Sequence, residues 1–297
     1  MKKTKNEEWK KYEKSLLIGA DGMLGGELRE RLEKIYEVTG TTIETLDICD
    51  KAAVEAKVSE VNPYFIINCA AYTNVDGCET NEALATAVNG TAVGNIAEAA
   101  KKVGATFIHI STDYVFDGKL PVEDCYNEAM VTNPVSAYGR SKLLGEQNAA
   151  LAEKYYILRT AWLYGLGGKN FVKTMLRLSK ERDEVTVVND QHGSPTTTTT
   201  LCEIIESVME KEPEYGVYHS TNEGFTTWCD FTRKIFELAN ITTPVRGITS
   251  AEYKAMFPMS SDRPTNSQLS KEKLHSIDIN PERWEDALAK YLKEELK

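Results

Sequence analysis

An α/β fold with a parallel sheet covered by helices on both faces is predicted by three observations. The apolar runs Lys14-Ser-Leu-Leu-Ile18 and Tyr64 to Asn68 are continuous rather than alternating, as suits strands buried on both faces. Amphipathic stretches separate such runs, with Leu24, Leu28, Leu32 and Ile35 recurring at helical spacing after the first. Between that strand and that helix lies a tight glycine turn, Gly19-Ala-Asp-Gly22-Met-Leu-Gly25. Right-handed crossovers then give a doubly wound, Rossmann-like sheet.

The alternation continues along the chain. Tyr36 to Thr41 reads as a strand, Lys51 to Val61 as a helix, Asn81 to Val103 as one long alanine-rich helix and Thr106 to Ser111 as a buried strand. Pro134 to Glu153 is a helix, followed by a strand at Tyr155-Tyr-Ile-Leu-Arg159. Beyond Trp162 the pattern loosens: a glycine-rich turn, Gly165 to Gly168, precedes helices at Phe171 to Lys180, Leu201 to Lys211 and Thr227 to Ala239. We divide the chain into a charged extension (1–14, an extra exposed helix or a frayed tail), a sheet domain (mainly 15–165) and a smaller C-terminal lobe. That lobe, mainly 166–297, is interleaved with the sheet domain and covers the sheet's carboxyl edge.

Composition narrows the function. The 297 residues carry a formal net charge of −10, which disfavours a nucleic-acid partner because phosphate backbones need a basic face. A small anionic ligand is still compatible, since net charge governs long-range steering more than chemistry inside a cleft. The longest apolar runs fall well short of the roughly 20 residues that span a bilayer, and the first 14 residues lack the apolar centre of a secretory signal. The six cysteines are scattered without a C-x-x-C pair, which fits free thiols in a reducing cytoplasm better than disulfides or a metal site.

Three segments carry chemistry. The glycine turn lies where backbone N–H groups and a helix N-terminus cradle a pyrophosphate, although G-x-x-G-x-x-G differs by one residue from the usual dinucleotide fingerprint. It marks residues 15–165 as mainly dinucleotide-binding. The acid expected about 20 positions later, which excludes a 2′-phosphate, is replaced by small polar residues, so NADPH or NADH is expected. Asp47 and Ile48, after a further short extended piece, either cap the adenine or, for Asp47, cap the next helix. Asn68-Cys-Ala70-Ala71-Tyr72-Thr73 supplies small side chains beside a strand end; Asn89 reads more simply as a structural residue. Ser111-Thr112-Asp113 ends a buried strand at the edge where such sheets bind ligands.

The third segment is Tyr138-x-x-x-Lys142, whose two side chains share one helical face. An ammonium beside a phenol lowers the phenol's pKa and equips it as a proton donor. Asp190 and His192 are explained by a strand and a Gly/Pro turn, and receive no proton-transfer role. Asn170, beside Lys169, and Arg263 lie in irregular loops suited to phosphate or sugar contacts.

These motifs, with Ser111-Thr-Asp-Tyr-Val-Phe116, Arg159-Thr-Ala-Trp-Leu-Tyr164, Asn189 to Thr196 and Arg263-Pro264, resemble the extended short-chain dehydrogenase/reductases. Within them the likeness is to the dTDP-4-dehydrorhamnose reductases, from about Ser15 to the C-terminus. The resemblance implies NAD(P)H-dependent reduction of a 4-keto deoxythymidine-diphosphate sugar for polysaccharide synthesis. It makes Tyr138 the proton donor, Lys142 its partner and a ribose ligand, and Thr112 the hydroxyl that orients the carbonyl. Gly19, Gly22, Met23, Leu24, Gly25, Asp47, Ile48, Ala70, Ala71, Tyr72 and Thr73 would line the cofactor; Val75, Asp113, Trp162, Asn170 and Arg263 would face the nucleotide sugar. Some members hold magnesium on glutamates at a dimer interface. Glu27 matches one, but Thr199 stands where another is expected, so no metal is expected; a homodimer is left open. A reductase or epimerase of another nucleotide sugar, or a non-catalytic subunit of the same fold, are the alternatives.

Overall fold

In the computed structural model, which describes residues 13–297, the continuous apolar runs become the inner strands of a six-stranded sheet. Most of the charged extension lies outside the described residues. The strands are β1 (Lys14–Ile18), β2 (Glu37–Thr41), β3 (Phe65–Asn68), β4 (Thr106–Thr112), β5 (Tyr155–Thr160) and β6 (Gly216–His219). They lie in the order β2-β1-β3-β4-β5-β6, every neighbour parallel. After β2 the chain returns to the other side of β1, so the crevice between the carboxyl ends of β1 and β3 is the topological switch point, where such sheets receive ligands.

Successive side chains of a strand point to opposite faces, and β1 divides its residues accordingly. Leu17 packs on one face with Phe65, Ile67, Ile108 and Leu158 under α1 (Met23–Leu32) and the C-terminal helix Thr198–Lys211. Leu16 and Ile18 pack on the other with Ile66, Phe107 and Ile157 under α2 (Lys51–Val61) and α3 (Ala92–Val103). Leu24, Leu28 and Leu32 of α1 are all buried.

A third core, around Tyr164, Val172, Phe231, Ile235, Trp284 and Leu288, joins the helices Phe171–Glu181, Trp228–Leu238 and Trp284–Glu295 in a lobe. Residues 198–219 return from that lobe to the sheet, supplying both the helix on α1 and strand β6. No described helix is long and apolar enough to cross a membrane.

Three local readings of the sequence are corrected. Asn81 to Val103 is not one helix: Glu82–Ala85 is α-helical, Thr86–Thr91 is a π-helical turn, and α3 follows. The π-turn places Asn89 so that its Oδ1 accepts from Tyr72 N at 2.8 Å while its Nδ2 donates to Tyr72 O at 2.9 Å and Ser141 Oγ at 3.0 Å. The piece before Asp47 is a turn rather than extended, with Thr45 N and Leu46 N both donating to Thr42 O. Asp50, not Asp47, caps α2, accepting from Ala52 N at 2.9 Å and Ala53 N at 3.1 Å. Asp47 instead accepts from Cys49 N.

Removing the Asn89 amide strands the Tyr72 peptide groups that it satisfies. Asn89→Ala is expected to lower unfolding free energy by about 1–3 kcal/mol, read from urea denaturation. A change within about 0.5 kcal/mol, the usual scatter for surface substitutions, would show that the amide is dispensable.

Candidate active site

The chain leaves β1 through Gly19 at φ 77°, a left-handed conformation that glycine adopts without a Cβ clash. The N–H groups of Gly19 and Ala20 both donate to Thr41 O at 2.9 Å, fastening the turn to the end of β2. Backbone packs directly on backbone here: a Cβ at Gly19 would lie 2.8 Å from Ala70 N, and one at Gly25 would lie 2.0 Å from Gly19 O. Helix α1 then starts behind Gly22 with no side-chain cap and no acidic residue in its first turn. Its free N–H groups and dipole favour an anion at that end.

A cleft of about 370 Å³ opens on this turn. Gly19, Gly22, Asp47, Ile48, Ala70, Ala71 and Tyr72 line it, together with Thr42, Ile43 and Cys69. Of the remaining residues expected there, Leu24 turns its side chain into the core and Gly25 is enclosed by the turn, leaving only their backbone for a ligand. Met23 stands beside Gly167 and Gly168 of the lobe, and Thr73 follows Tyr72 without lining the cleft.

Strand β4 carries Thr112 to the same edge, where it pairs with Thr160 of β5. The Thr112 hydroxyl donates to Asp113 Oδ1 at 2.9 Å, while Oδ2 is buried without a partner. Burial pushes the Asp113 carboxyl up to about 6, against the hydrogen bonds that favour its charge.

Helix α4 (Ala137–Ala149) is capped by Ser136, whose hydroxyl accepts from Gly139 N at 3.1 Å. Two glycines let it lie against main chain: a Cβ at Gly139 would sit 2.2 Å from Tyr114 O, and one at Gly145 would sit 2.2 Å from Asn89 O. So seated, Tyr138 comes near enough to the Thr112 side chain for that hydroxyl to favour its ionised form, and it meets the Tyr114 ring edge-on, centroids 5.5 Å apart. Lys142, 2% exposed, donates from Nζ to Ile110 O at 2.5 Å.

The expected acidification of the phenol is not what this arrangement produces. Burial, and then the charge of Asp113, hold the Tyr138 phenol well above its ordinary value, with Thr112 pulling the other way. The Ile110 carbonyl takes the ammonium, and burial pushes Lys142 down to about 8. Tyr138 is therefore a neutral hydroxyl with its proton in place.

The substrate candidates divide. Trp162, in a left-handed conformation at φ 50°, stacks on Trp228 with centroids 3.6 Å apart. Arg263 reaches Asp76 at 3.3 Å, keeps a buried Nε without a partner, and lines a second cavity of about 640 Å³ with Phe171, Trp228, Lys254 and Phe257. Val75 opens the short helix Val75–Thr80 beside them. Asn170, by contrast, uses its side chain internally: Oδ1 caps Lys173 N at 3.0 Å and Nδ2 donates to Gly165 O at 2.7 Å. Asp190 accepts from Ser250, and His192 lies in a short strand pair. Glu27 accepts from the Thr198 and Thr199 hydroxyls. Trp228 was not legible as a site residue, because its contact with Trp162 is made across the fold; Asn89, read as a structural residue, serves as one.

Comparison with known proteins agrees with this geometry. Residues 13–297 match the family model described as the RmlD substrate binding domain. A dTDP-4-dehydrorhamnose reductase of Aggregatibacter actinomycetemcomitans is 39% identical, over 92% of this chain and 96% of that protein. The spore coat polysaccharide biosynthesis protein SpsK of Bacillus subtilis is 38% identical, over 95% and 97%. Among solved structures, a dTDP-4-dehydrorhamnose reductase of Bacillus anthracis in complex with NADP superposes with a TM-score of 0.90 at 39% identity, covering 95% of this chain and 99% of that one. With a sheet, a glycine turn and a Tyr-Lys helix arranged as above, the chain belongs to the RmlD family, that of the dTDP-4-dehydrorhamnose reductases.

Proposed function

We propose that the protein reduces the 4-keto group of dTDP-4-dehydro-L-rhamnose to give dTDP-L-rhamnose, using NADPH or NADH. The observation that carries this reading is the meeting of Tyr138 and Thr112 at the carboxyl end of β4, the sheet edge onto which the glycine-turn cleft also opens. The cleft suits a dinucleotide: its glycines let backbone approach closely, and the uncapped N-terminus of α1 faces outward as an anion cradle. Gly22 and the first N–H groups of α1 would hold the pyrophosphate, Asp47 and Ile48 the adenosine, and Ala70, Ala71 and Tyr72 the inner wall. Absence of a carboxylate at Thr41 and Thr42 leaves room for a 2′-phosphate.

Bound there, the reduced nicotinamide supplies the hydride taken up by the sugar's C4. Thr112 orients the carbonyl oxygen, and Tyr138 gives that oxygen its proton. Because the phenol is held protonated by burial, the donor is loaded over the whole neutral range. Lys142, fixed on Ile110 O, presents a positive charge to the cofactor ribose and to the phenolate left after proton transfer. The aromatic and basic walls of the larger cavity, Phe171, Trp228, Lys254 and Arg263, suit the base and diphosphate of the nucleotide. The same reading places the protein in the cytoplasm, where the reduced cofactor is supplied.

NADPH oxidation with dTDP-4-dehydro-L-rhamnose tests the reading. Tyr138→Phe is expected to cut turnover by about 10²- to 10⁴-fold with little change in cofactor affinity; wild-type turnover in that variant would contradict the assignment. The pH profile gives an independent check. Lys142 is cationic below about 8 and neutral above, while Tyr138 keeps its proton well past that point. Accordingly kcat/KM is expected to fall as pH rises through about 8, and a profile flat to pH 10 would remove Lys142 from the role given to it.

A further inference from the structure

Behind Lys142 lies a buried ionic cluster that the reduction itself does not use. Glu146, one turn further along α4 and 5% exposed, accepts from Arg159 Nε at 2.8 Å and Nη2 at 2.7 Å. A third bond comes from Ser111 Oγ at 2.6 Å. Arg159 stands on β5, with its guanidinium 5.0 Å from the Phe116 ring centroid and Nη1 3.5 Å from His219 of β6. One carboxylate thus ties α4 to β4 and β5, directly beside Thr112.

We propose that Glu146 is a positioning residue for Lys142: clamped by Arg159 and Ser111, it holds the lysine in register with the Ile110 carbonyl and keeps its ammonium charged. This rests on the reductase reading above. The groups around Lys142 leave that task to Glu146. From α4 come Tyr138, a neutral phenol, and Glu146; from β4 comes His109, which burial and the lysine's own charge keep neutral. After β3 comes Cys69, whose thiol burial pushes up to about 12. Glu146 is the foremost influence opposing the desolvation of the ammonium. The cluster's outer groups are Arg159, His219, kept neutral by burial, and Glu128, 4.0 Å from His219 Nδ1. A carboxylate fixed by three bonds supplies that field without moving, whereas a solvated one would be screened.

The test follows the Lys142 ammonium itself. Protein carrying ¹³C-labelled lysine is titrated by NMR, with the Lys142 signal identified by its loss in Lys142→Arg, and kcat/KM is profiled against pH in parallel. In Glu146→Gln the Lys142 titration is expected to fall by about one pH unit or more, with the alkaline limb of kcat/KM moving by the same amount. Glu146→Asp is expected to recover most of the shift. Should the lone guanidinium left in Glu146→Gln prevent folding, Glu146→Gln/Arg159→Gln removes both buried charges and is expected to lower the Lys142 titration in the same direction by a smaller amount, because the opposing Arg159 charge leaves with the carboxylate. An unmoved titration with kcat/KM lowered equally at every pH would overturn the proposal and leave Glu146 a purely structural residue. Wild-type protein without reductase activity would contradict the reductase reading instead, and the NMR titration would still decide the role of Glu146.

Discussion

The seating of α4 on bare main chain is the constraint from which the site follows. With no side chain at 139 or 145, the helix comes within reach of Tyr114 O and Asn89 O. That distance brings the Tyr138 hydroxyl to Thr112 and the Lys142 ammonium to Ile110 O. A methyl group at either position would meet carbonyl oxygen, and because packed interiors deform little, the helix would have to move as a body. The π-turn at Thr86–Thr91 belongs to the same arrangement, since it sets Asn89 between the Tyr72 peptide and Ser141 of α4. The cleft wall and the Tyr-Lys helix are thereby fixed to each other through one amide.

Burial then decides the chemistry of the groups so placed. Desolvation disfavours each charged form, raising Tyr138 and Asp113 and lowering Lys142. A buried phenol that keeps its proton suits a reduction, in which the oxygen must gain one. The lobe meets this edge of the sheet through Trp162, whose backbone is left-handed and whose ring stacks on Trp228.

Much of this was legible in the residues, for identifiable reasons. Strands β1, β3 and β4 are buried on both faces, so their sequences are continuously apolar and stand out. Helix α1 showed through Leu24, Leu28 and Leu32, although Ile35 at the same spacing is 41% exposed because the helix ends at Leu32. The π-turn was invisible, since Thr86 to Thr91 lies between alanine-rich stretches of helical character and the cause, the bonds to Tyr72 and Ser141, lies elsewhere in the chain. Asp47 and Asp50 both precede α2, and only backbone geometry selects Asp50 as its cap. The spacing of Tyr138 and Lys142 identified the pair, but the ammonium's preference for Ile110 O depends on where β4 ends relative to α4. Asn170 looked like a free loop amide because its cap and its bond to Gly165 are features of the fold.

The central claim is that hydride and proton converge on one sugar carbonyl beside Tyr138. Its most direct measurement is the fate of label from NADPH dideuterated at the nicotinamide C4 during turnover of dTDP-4-dehydro-L-rhamnose. The account predicts one deuterium at C4 of the product sugar, seen by NMR. Product carrying protium at that carbon, or no product at all, would contradict it.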